Sequence, residues 1–322
     1  MADVATSRGR TLETFAYECQ KSGIQEYLDD EDVSEIMVNP DGTLWLNTHS
    51  KGFVDTGKVL PALSVKNIIF RVAALTDQII NMDKIPALQA EIPQSYVCDA
   101  ARFQAELPNI VSGPSMNIRK YTKVVLTLED YVKNGTMTQQ QYDVLMKAIK
   151  EHKNIIAAGG TNSGKTTLLN AILHEISATN DRVVMIEDTP ELKCDAKNNV
   201  SFRTTEFVDM DMLLRFTLRK TPNRIVVGEI RGKEALTLLD AWSTGHRGGC
   251  STVHADSAID TLHRLESLVT RASLTPQNET VGRAVDMVIY IKLKGTERKI
   301  DQIIEVDGYN IDTQKYEYRV VG

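Results

Sequence analysis

Residues 157 to 172 read AAGGTNSGKTTLLNAI, and the rest of the chain is best understood outward from them. Gly159, Gly164, Lys165 and Thr166 occupy the fixed places of the pattern G-x-x-x-x-G-K-[ST]. The preceding NIIAA is an apolar run of strand length, and GKTTLLNAILHEI carries helical spacing, so the loop joins a strand to a helix. In that context the pattern has a mechanism. Glycines let the backbone curl until successive N–H groups converge, and the start of the helix adds partial positive charge toward an anion. Gly159, Gly160, Thr161, Asn162, Ser163, Gly164, Lys165, Thr166 and Thr167 are therefore the expected phosphate cradle, with Lys165 reaching β and γ phosphates and Thr166 ligating Mg²⁺. The alternative is a glycine-rich turn that merely starts a helix.

The surroundings support a doubly wound domain. Strands at VVMIE, VSF, RIVVG and STVHA alternate with helices at DMDMLLRFTLRK, KEALTLLDAW and AIDTLHRLESLV, which implies a mainly parallel sheet with helices on both faces. Two helices should lead into this sheet, because Thr127 with Asp130 and Thr138 with Gln141 have capping-box spacing around an Asn134-Gly135 stop. The tail from Asp286 is expected to form antiparallel strands turning at Lys294-Gly295 and Asp307-Gly308. Upstream, Leu12, Phe15, Ala16 and Cys19 share a helical face, and SEIMVN-PDG-TLWLNT reads as two strands around a turn. A long helix is expected across VKNIIFRVAALTDQII, with Ile68, Ile69, Val72 and Ile79 on one face; prolines break residues 86 to 118 into short strands. The expected division is an α+β domain over residues 1–120 and an α/β domain over 121–322.

Composition narrows the partners. The 322 residues are 42% hydrophobic and 25% charged, ordinary for a globular protein, and the net charge of -6 offers no global attraction to nucleic acid or anionic lipid. Direct nucleic-acid binding is not expected. The closest cysteines, Cys194 and Cys250, stand 56 positions apart, so neither a zinc pattern nor a compact disulfide framework is present. MADVATSRGR has no apolar signal region, and no run reaches the roughly 18 apolar residues of a spanning helix, so a reducing cytoplasm is the expected setting.

The remaining chemistry should sit at the carboxyl ends of the strands, where doubly wound sheets bind ligands. Glu187, Asp188 and Glu191 follow VVMI, and Glu229 follows RIVVG; each is either a magnesium-shell or base carboxylate or a solvated acid at a helix start. His254 closes STV, where it either senses a γ phosphate or serves as a structural hydrogen-bonder, and its distance from His246 does not fit a helical zinc pair. Arg102, Arg119 and Arg219 are candidate phosphate contacts, since a guanidinium matches phosphate oxygens in charge and geometry, though each alone also suits a surface ion pair.

Taken together, these motifs resemble the traffic ATPases of type IV secretion, most closely the TrbB-type branch of conjugative transfer. SEIMVNPDGTLWL resembles the N-terminal signature of that group, GGTNSGKTT its Walker A, MIEDTPEL its Asp box, RIVVGEIRGKEALTLLDAWSTGHRGG its atypical Walker B, and STVHA its His box. The resemblance implies a RecA-like ATPase domain behind a smaller N-terminal domain, six subunits in a ring, and ATP with Mg²⁺ as ligands. It assigns phosphate binding to Lys165 and Thr166, catalytic or metal roles to Glu187, Asp188, Glu191 and Glu229, phosphate sensing to His254, and phosphate contacts from the N-terminal domain to Arg102 and Arg119. It also implies other secretion or conjugation ATPases and inner-membrane channel components as partners, with peripheral association at the inner membrane through them. Two departures stand out: Asn162 replaces the family's usual glycine, and RFQAELPNI lacks a double proline after Arg102. A type II secretion or type IV pilus motor is the close alternative, and a RecA-like DNA translocase a more distant one.

Overall fold

In the computed structural model, residues 2–121, 126–273, 275–295 and 297–322 are described. The chain divides into two compact units, residues 1–123 and 124–322.

The first unit opens with helices α1 (Ala2–Ser22) and α2 (Gln25–Asp29), then strands β1 (Val33–Val38), β2 (Thr43–Thr48) and β3 (Gly52–Val59), helix α3 (Ala62–Leu75), and strands β4 (Ala87–Ile92), β5 (Ala101–Glu106) and β6 (Ser115–Lys120). The six strands form one antiparallel sheet in the order β3-β2-β1-β6-β5-β4. Phe15 and Cys19 of α1 and Ile68, Ile69 and Val72 of α3 are buried with Ile36, Phe103 and Ile118 of the sheet. This is the antiparallel α+β arrangement in which one sheet face is covered by helices. The helix expected to continue to Ile79 stops at Leu75 instead. Asp77 takes a left-handed φ of 54°, and the Gln78 N–H closes back on the Ala73 carbonyl, which ends the ladder. Ile79 is consequently 96% exposed rather than part of the apolar face.

The second unit begins with α4 (Leu128–Lys133) and α5 (Gln139–Lys150) and continues through β7 (Ile155–Ala158), α6 (Lys165–Ser177), β8 (Val183–Glu187), β9 (Asn199–Arg203) and α7 (Met210–Thr217). It ends with β10 (Arg224–Val227), α8 (Glu234–Ser243), β11 (Cys250–Val253), α9 (Ala258–Val269), α10 (Asn278–Ala284), β12 (Met287–Lys294), β13 (Glu297–Asn310) and β14 (Lys315–Val320). Both expected capping boxes are present, at Thr127 with Asp130 and at Thr138 with Gln141. The sheet order is β14-β13-β12-β7-β11-β10-β8-β9. Pairing is parallel from β12 to β9 and antiparallel from β12 to β14. Every residue of β7, β8, β10 and β11 is buried, as required when helices cover both faces: α4 to α6 on one, α7 to α10 on the other.

The tail departs from expectation at its second turn. β13 runs through Asp307 and Gly308, where the register merely shifts at a bulge, and the chain reverses at residues 311–314. The ladder is prolonged because Tyr309 and Tyr316 pack edge to face at 5.1 Å, and Asn310 accepts the Thr313 N–H to close the later turn.

At the amino edge, Asn154 fixes the register of three neighbouring strands. Fully buried, it accepts N–H bonds from Gly248 and Gly249 at 2.9 and 3.1 Å before β11, and donates its amide to the Ala284 carbonyl at 2.8 Å before β12. Asn154→Ala leaves two buried donors and one acceptor without partners, each costing about 1–3 kcal/mol. Urea unfolding should therefore show a stability loss of about 3 kcal/mol or more; a loss below about 1 kcal/mol would mean other groups fix the register.

Candidate nucleotide site

β7 delivers the chain to the loop, and the loop turns into α6 without a side-chain cap. Gly164 adopts φ 98°, a conformation costly for any residue with a Cβ, and Asn162 sits at φ 59°, where asparagine is among the better tolerated residues. The substitution of Asn for the usual glycine is thus accommodated in the left-handed region. Gly159 has a different reason: a Cβ there would stand 2.2 Å from the Ile291 carbonyl oxygen of β12. The Ser163 hydroxyl is buried without a hydrogen-bond partner among the described residues. An uncapped helix start beside an unpaired buried hydroxyl is a donor-rich cradle suited to phosphate.

Lys165 is only 7% exposed. Its ammonium donates to the Gly159 and Gly160 carbonyls at 3.0 and 2.7 Å, and lies 3.4 Å from Nδ1 of His254. His254 follows β11, the immediate neighbour of β7, and its Nε2 is 3.2 Å from Oε1 of Glu229, which follows β10. Desolvation and then the nearby Lys165 charge lower the histidine pKa, outweighing the attraction of Glu229. The neutral imidazole is thereby favoured, with Nε2 on the side of Glu229 and the Nδ1 lone pair facing Lys165. The other oxygen of Glu229 accepts from Arg231, whose guanidinium also approaches Asp188 at 3.5 Å. The hydrogen bond to Glu229 raises the Arg231 pKa further, so this arginine stays charged.

The acidic residues do not share one role. Glu187 is buried, and its Oε1 accepts the N–H groups of Glu191 and Leu192 at 2.9 and 2.7 Å, so it organises the loop after β8. Its side chain passes over Gly228, where an added Cβ would meet Glu187 Cγ at 3.3 Å. Asp188 accepts from the Thr204 hydroxyl at 3.0 Å. The Glu191 carbonyl accepts from Asn170 of α6, which ties the acidic loop to the phosphate-loop helix.

Arg102 and Arg119 lie directly opposite each other on β5 and β6 in the first unit, flanked in register by Glu91 and Glu35. Arg119 Nε is 3.5 Å from the Glu35 carboxylate. The structure thus brings these two arginines together. Arg219 follows α7 and precedes β10, at the amino edge of the parallel sheet, so the fold does not bring it to the loop of its own chain. Two site residues escaped the sequence reading. Arg231 stands two positions after Glu229, a spacing that returns a side chain to the same face of an extended segment and was a usable signal. Arg298, whose Nε donates to the Asn162 carbonyl at 3.3 Å, lies over a hundred positions from the loop and carries no local signal.

A strand, phosphate loop and helix at the carboxyl edge of a parallel sheet, with a lysine, a histidine and acids converging there, define a P-loop ATPase. The family model described as "Type II/IV secretion system protein" matches residues 19–302, and the chain belongs to this family of secretion traffic ATPases. It is 42% identical over 284 residues to "Conjugal transfer protein TrbB" of Rhizobium radiobacter, covering 88% of this chain and 86% of that protein. Among solved structures, it shares the fold of the pilus retraction motor PilT with bound ADP (TM-score 0.65, 18% identity, 93% of this chain and 82% of that one). The Legionella pneumophila ATPase DotB has the same fold (TM-score 0.62, 19% identity, 92% and 79%). Among the described residues no helix is long and apolar enough to cross a membrane.

Because the folded His254 pKa lies below its unfolded value near 6.5, the unfolded chain binds more protons as pH falls through that value. His254 therefore costs stability on acidification, and the cost disappears above the ordinary histidine range. Denaturant titrations between pH 5 and 8 should show a shallower loss toward acid in His254→Gln than in the wild type; identical slopes would mean that His254 is not held neutral by this environment.

Proposed function

We propose that the protein is a homo-hexameric, cytoplasmic Mg²⁺-ATPase that converts hydrolysis into rigid-body movement between its two units and so powers conjugative transfer and pilus assembly by type IV secretion. The observation that carries this reading is the continuous chain Lys165–His254–Glu229–Arg231 along the carboxyl edge of the sheet. Such a chain links the group that grips terminal phosphates to the carboxylate best placed to orient water. The name of the conjugal transfer relative, 42% identical over most of both chains, supplies the biological setting. The fold alone is shared with a pilus retraction motor, and at 18% identity it does not favour that setting over conjugation.

In this reading ATP is held by the loop N–H groups, Lys165 and Thr166, with Ser163 offering its buried hydroxyl. Lys165 exchanges its bonds to the Gly159 and Gly160 carbonyls for phosphate oxygens, which are stronger acceptors because they are charged. Glu229 accepts a proton from the attacking water, positioned by Arg231 on one side and His254 on the other. Glu187 and Glu191 shape the loop that brings Asp188 to Arg231.

Magnesium fits this donor set as a companion of the nucleotide. Among the described residues no cluster of three or more His, Cys, Asp or Glu side chains forms a metal cage. Mg²⁺ commonly takes substrate phosphates, waters and one or two protein oxygens, and Thr166 with Glu229 would supply the protein's share. When bound, it neutralises charge on the phosphate oxygens.

Arg102 and Arg119, paired on the first unit, are proposed to reach the phosphates of the closed state, and Arg219 to serve a neighbouring subunit. ATP then favours closure by the difference between its affinities for closed and open forms, and loss of the γ phosphate removes that difference. Partners are other conjugation ATPases and inner-membrane channel components, through which the ring attaches to the membrane.

Two variants test the reading. Lys165→Ala should abolish phosphate release while leaving a folded chain by circular dichroism; normal turnover would refute the site. Glu229→Gln should retain ATP binding within a few-fold while hydrolysis falls roughly 10²- to 10⁴-fold, the usual contribution of a general base. Equal losses of binding and turnover would instead make Glu229 a binding residue.

A further inference from the structure

The phosphate loop has two flanks, and the groups that face the terminal phosphate occupy only one. β7 lies between β11 and β12 in the sheet. On the β11 side stand His254 and Glu229, which mark the end of the site where the terminal phosphate reacts. On the β12 side stands the β12–β13 hairpin, whose residues Leu293 and Arg298 pair across it.

This hairpin presses against both glycines that bracket the loop. The Ile291 carbonyl occupies the space where a Gly159 Cβ would be, and Arg298 Cδ lies 3.0 Å from the position of a Gly164 Cβ. Arg298 crosses the loop and donates from Nε to the Asn162 carbonyl. Its side chain is half-buried, and no ion pair to a carboxylate holds it among the described residues. A guanidinium has five N–H donors, so four remain on the terminal nitrogens.

The electrostatic setting makes this placement unusual. A helix N-terminus carries about half a positive charge and disfavours a nearby cation. Arg298 lies beside the N-terminus of α6, which already begins with the buried cation Lys165. A guanidinium held against a positive helix end is stabilised when an anion lies beside both. Lys165 and His254 account for the terminal phosphates on one flank, which leaves the nucleoside end of a bound nucleotide on the other.

We propose that Arg298 is a further nucleotide-contacting residue: anchored through Nε to the Asn162 carbonyl, it directs its terminal nitrogens to the α phosphate. The inference rests on the nucleotide-binding reading of the loop and adds a binding residue from the C-terminal hairpin. Because the α phosphate is unchanged in the reaction, this contact acts alike in ATP and ADP. It raises affinity for both without acting on the chemical step.

The test is titration calorimetry of the full chain with ADP, together with steady-state ATP hydrolysis, for wild type, Arg298→Lys and Arg298→Ala. A charge-assisted hydrogen bond is worth about 1.5–3 kcal/mol, so Arg298→Ala should weaken ADP roughly 10- to 100-fold. The KM for ATP should rise by a similar factor, while kcat moves less than about twofold. Arg298→Lys should recover part of the lost affinity because it restores the charge, and the melting temperature without nucleotide should be unchanged. Unaltered ADP affinity in Arg298→Ala, with normal binding by the wild type, would overturn the inference. So would a fall in kcat at constant KM, or equal weakening by Lys and Ala accompanied by a lower melting temperature, which would make Arg298 only a buttress of the loop. Failure of the wild type itself to bind ADP would overturn the underlying nucleotide reading.

Discussion

A buried ammonium cannot be left without partners, and much of the site's order follows from how this chain satisfies that of Lys165. Burial of an uncompensated charge costs several kcal/mol. The loop answers by curling two carbonyls onto it, those of Gly159 and Gly160, which requires the tight backbone geometry set by Gly159 and Gly164. The third neighbour, His254, must then present a lone pair, because a protonated nitrogen would face a cation. That condition fixes the tautomer and leaves Nε2–H for Glu229, whose second oxygen is held by Arg231. One lysine thus propagates order across three adjacent strand ends.

Strand adjacency makes this propagation possible. The order β7-β11-β10-β8 places His254, Glu229 and Glu187 in successive rows at the carboxyl edge, although 67 positions of sequence separate the first and last of them. The amino edge supplies the matching precision. Asn154 binds the segments before β11 and β12, while Arg224, almost wholly buried, pairs with Asp181 at 2.6 Å and reaches the Gly248 carbonyl. Strands fixed in register at one edge deliver their terminal residues in register at the other.

How far the sequence could be read depended on the range of the interaction involved. The capping boxes at Thr127 and Thr138, the phosphate loop and the apolar parallel strands were legible because each is encoded within a few residues. The end of α3 was not, since LTDQII keeps apolar spacing while Asp77 alone turns the backbone out of the helix. β3 carries no such signal, because KGFVDTGKV is an edge strand with no buried residue to impose alternation. The Asp307-Gly308 turn failed for a tertiary reason: Tyr309 and Tyr316 pack together and carry the strands past it. Acidic positions were visible after each strand, but their orientations were not. Whether a carboxylate faces a ligand or its own loop depends on neighbours that the linear spacing does not name.

The four acidic candidates, and Glu234 close by in the chain, differ in physical role. Glu187 is buried and commits one oxygen to two backbone N–H groups, so that oxygen serves the loop after β8. Asp188 and Glu191 belong to the loop so formed, one bonded to Thr204 and the other anchored through its backbone to Asn170. Glu234 is likewise occupied, accepting the N–H groups of Arg231 and Gly232 at 2.7 Å and thereby holding the turn that follows β10. Glu229 differs because both of its partners are side chains that themselves belong to the charge chain from Lys165. Its orientation is therefore conditional on what Lys165 binds, whereas Glu187 is tied to the backbone of its own loop. A carboxylate whose position answers to the phosphate grip can link ligand binding to chemistry, and Glu229, next to His254 in the chain from Lys165, has that connection, while Asp188 joins the same chain at its far end through Arg231.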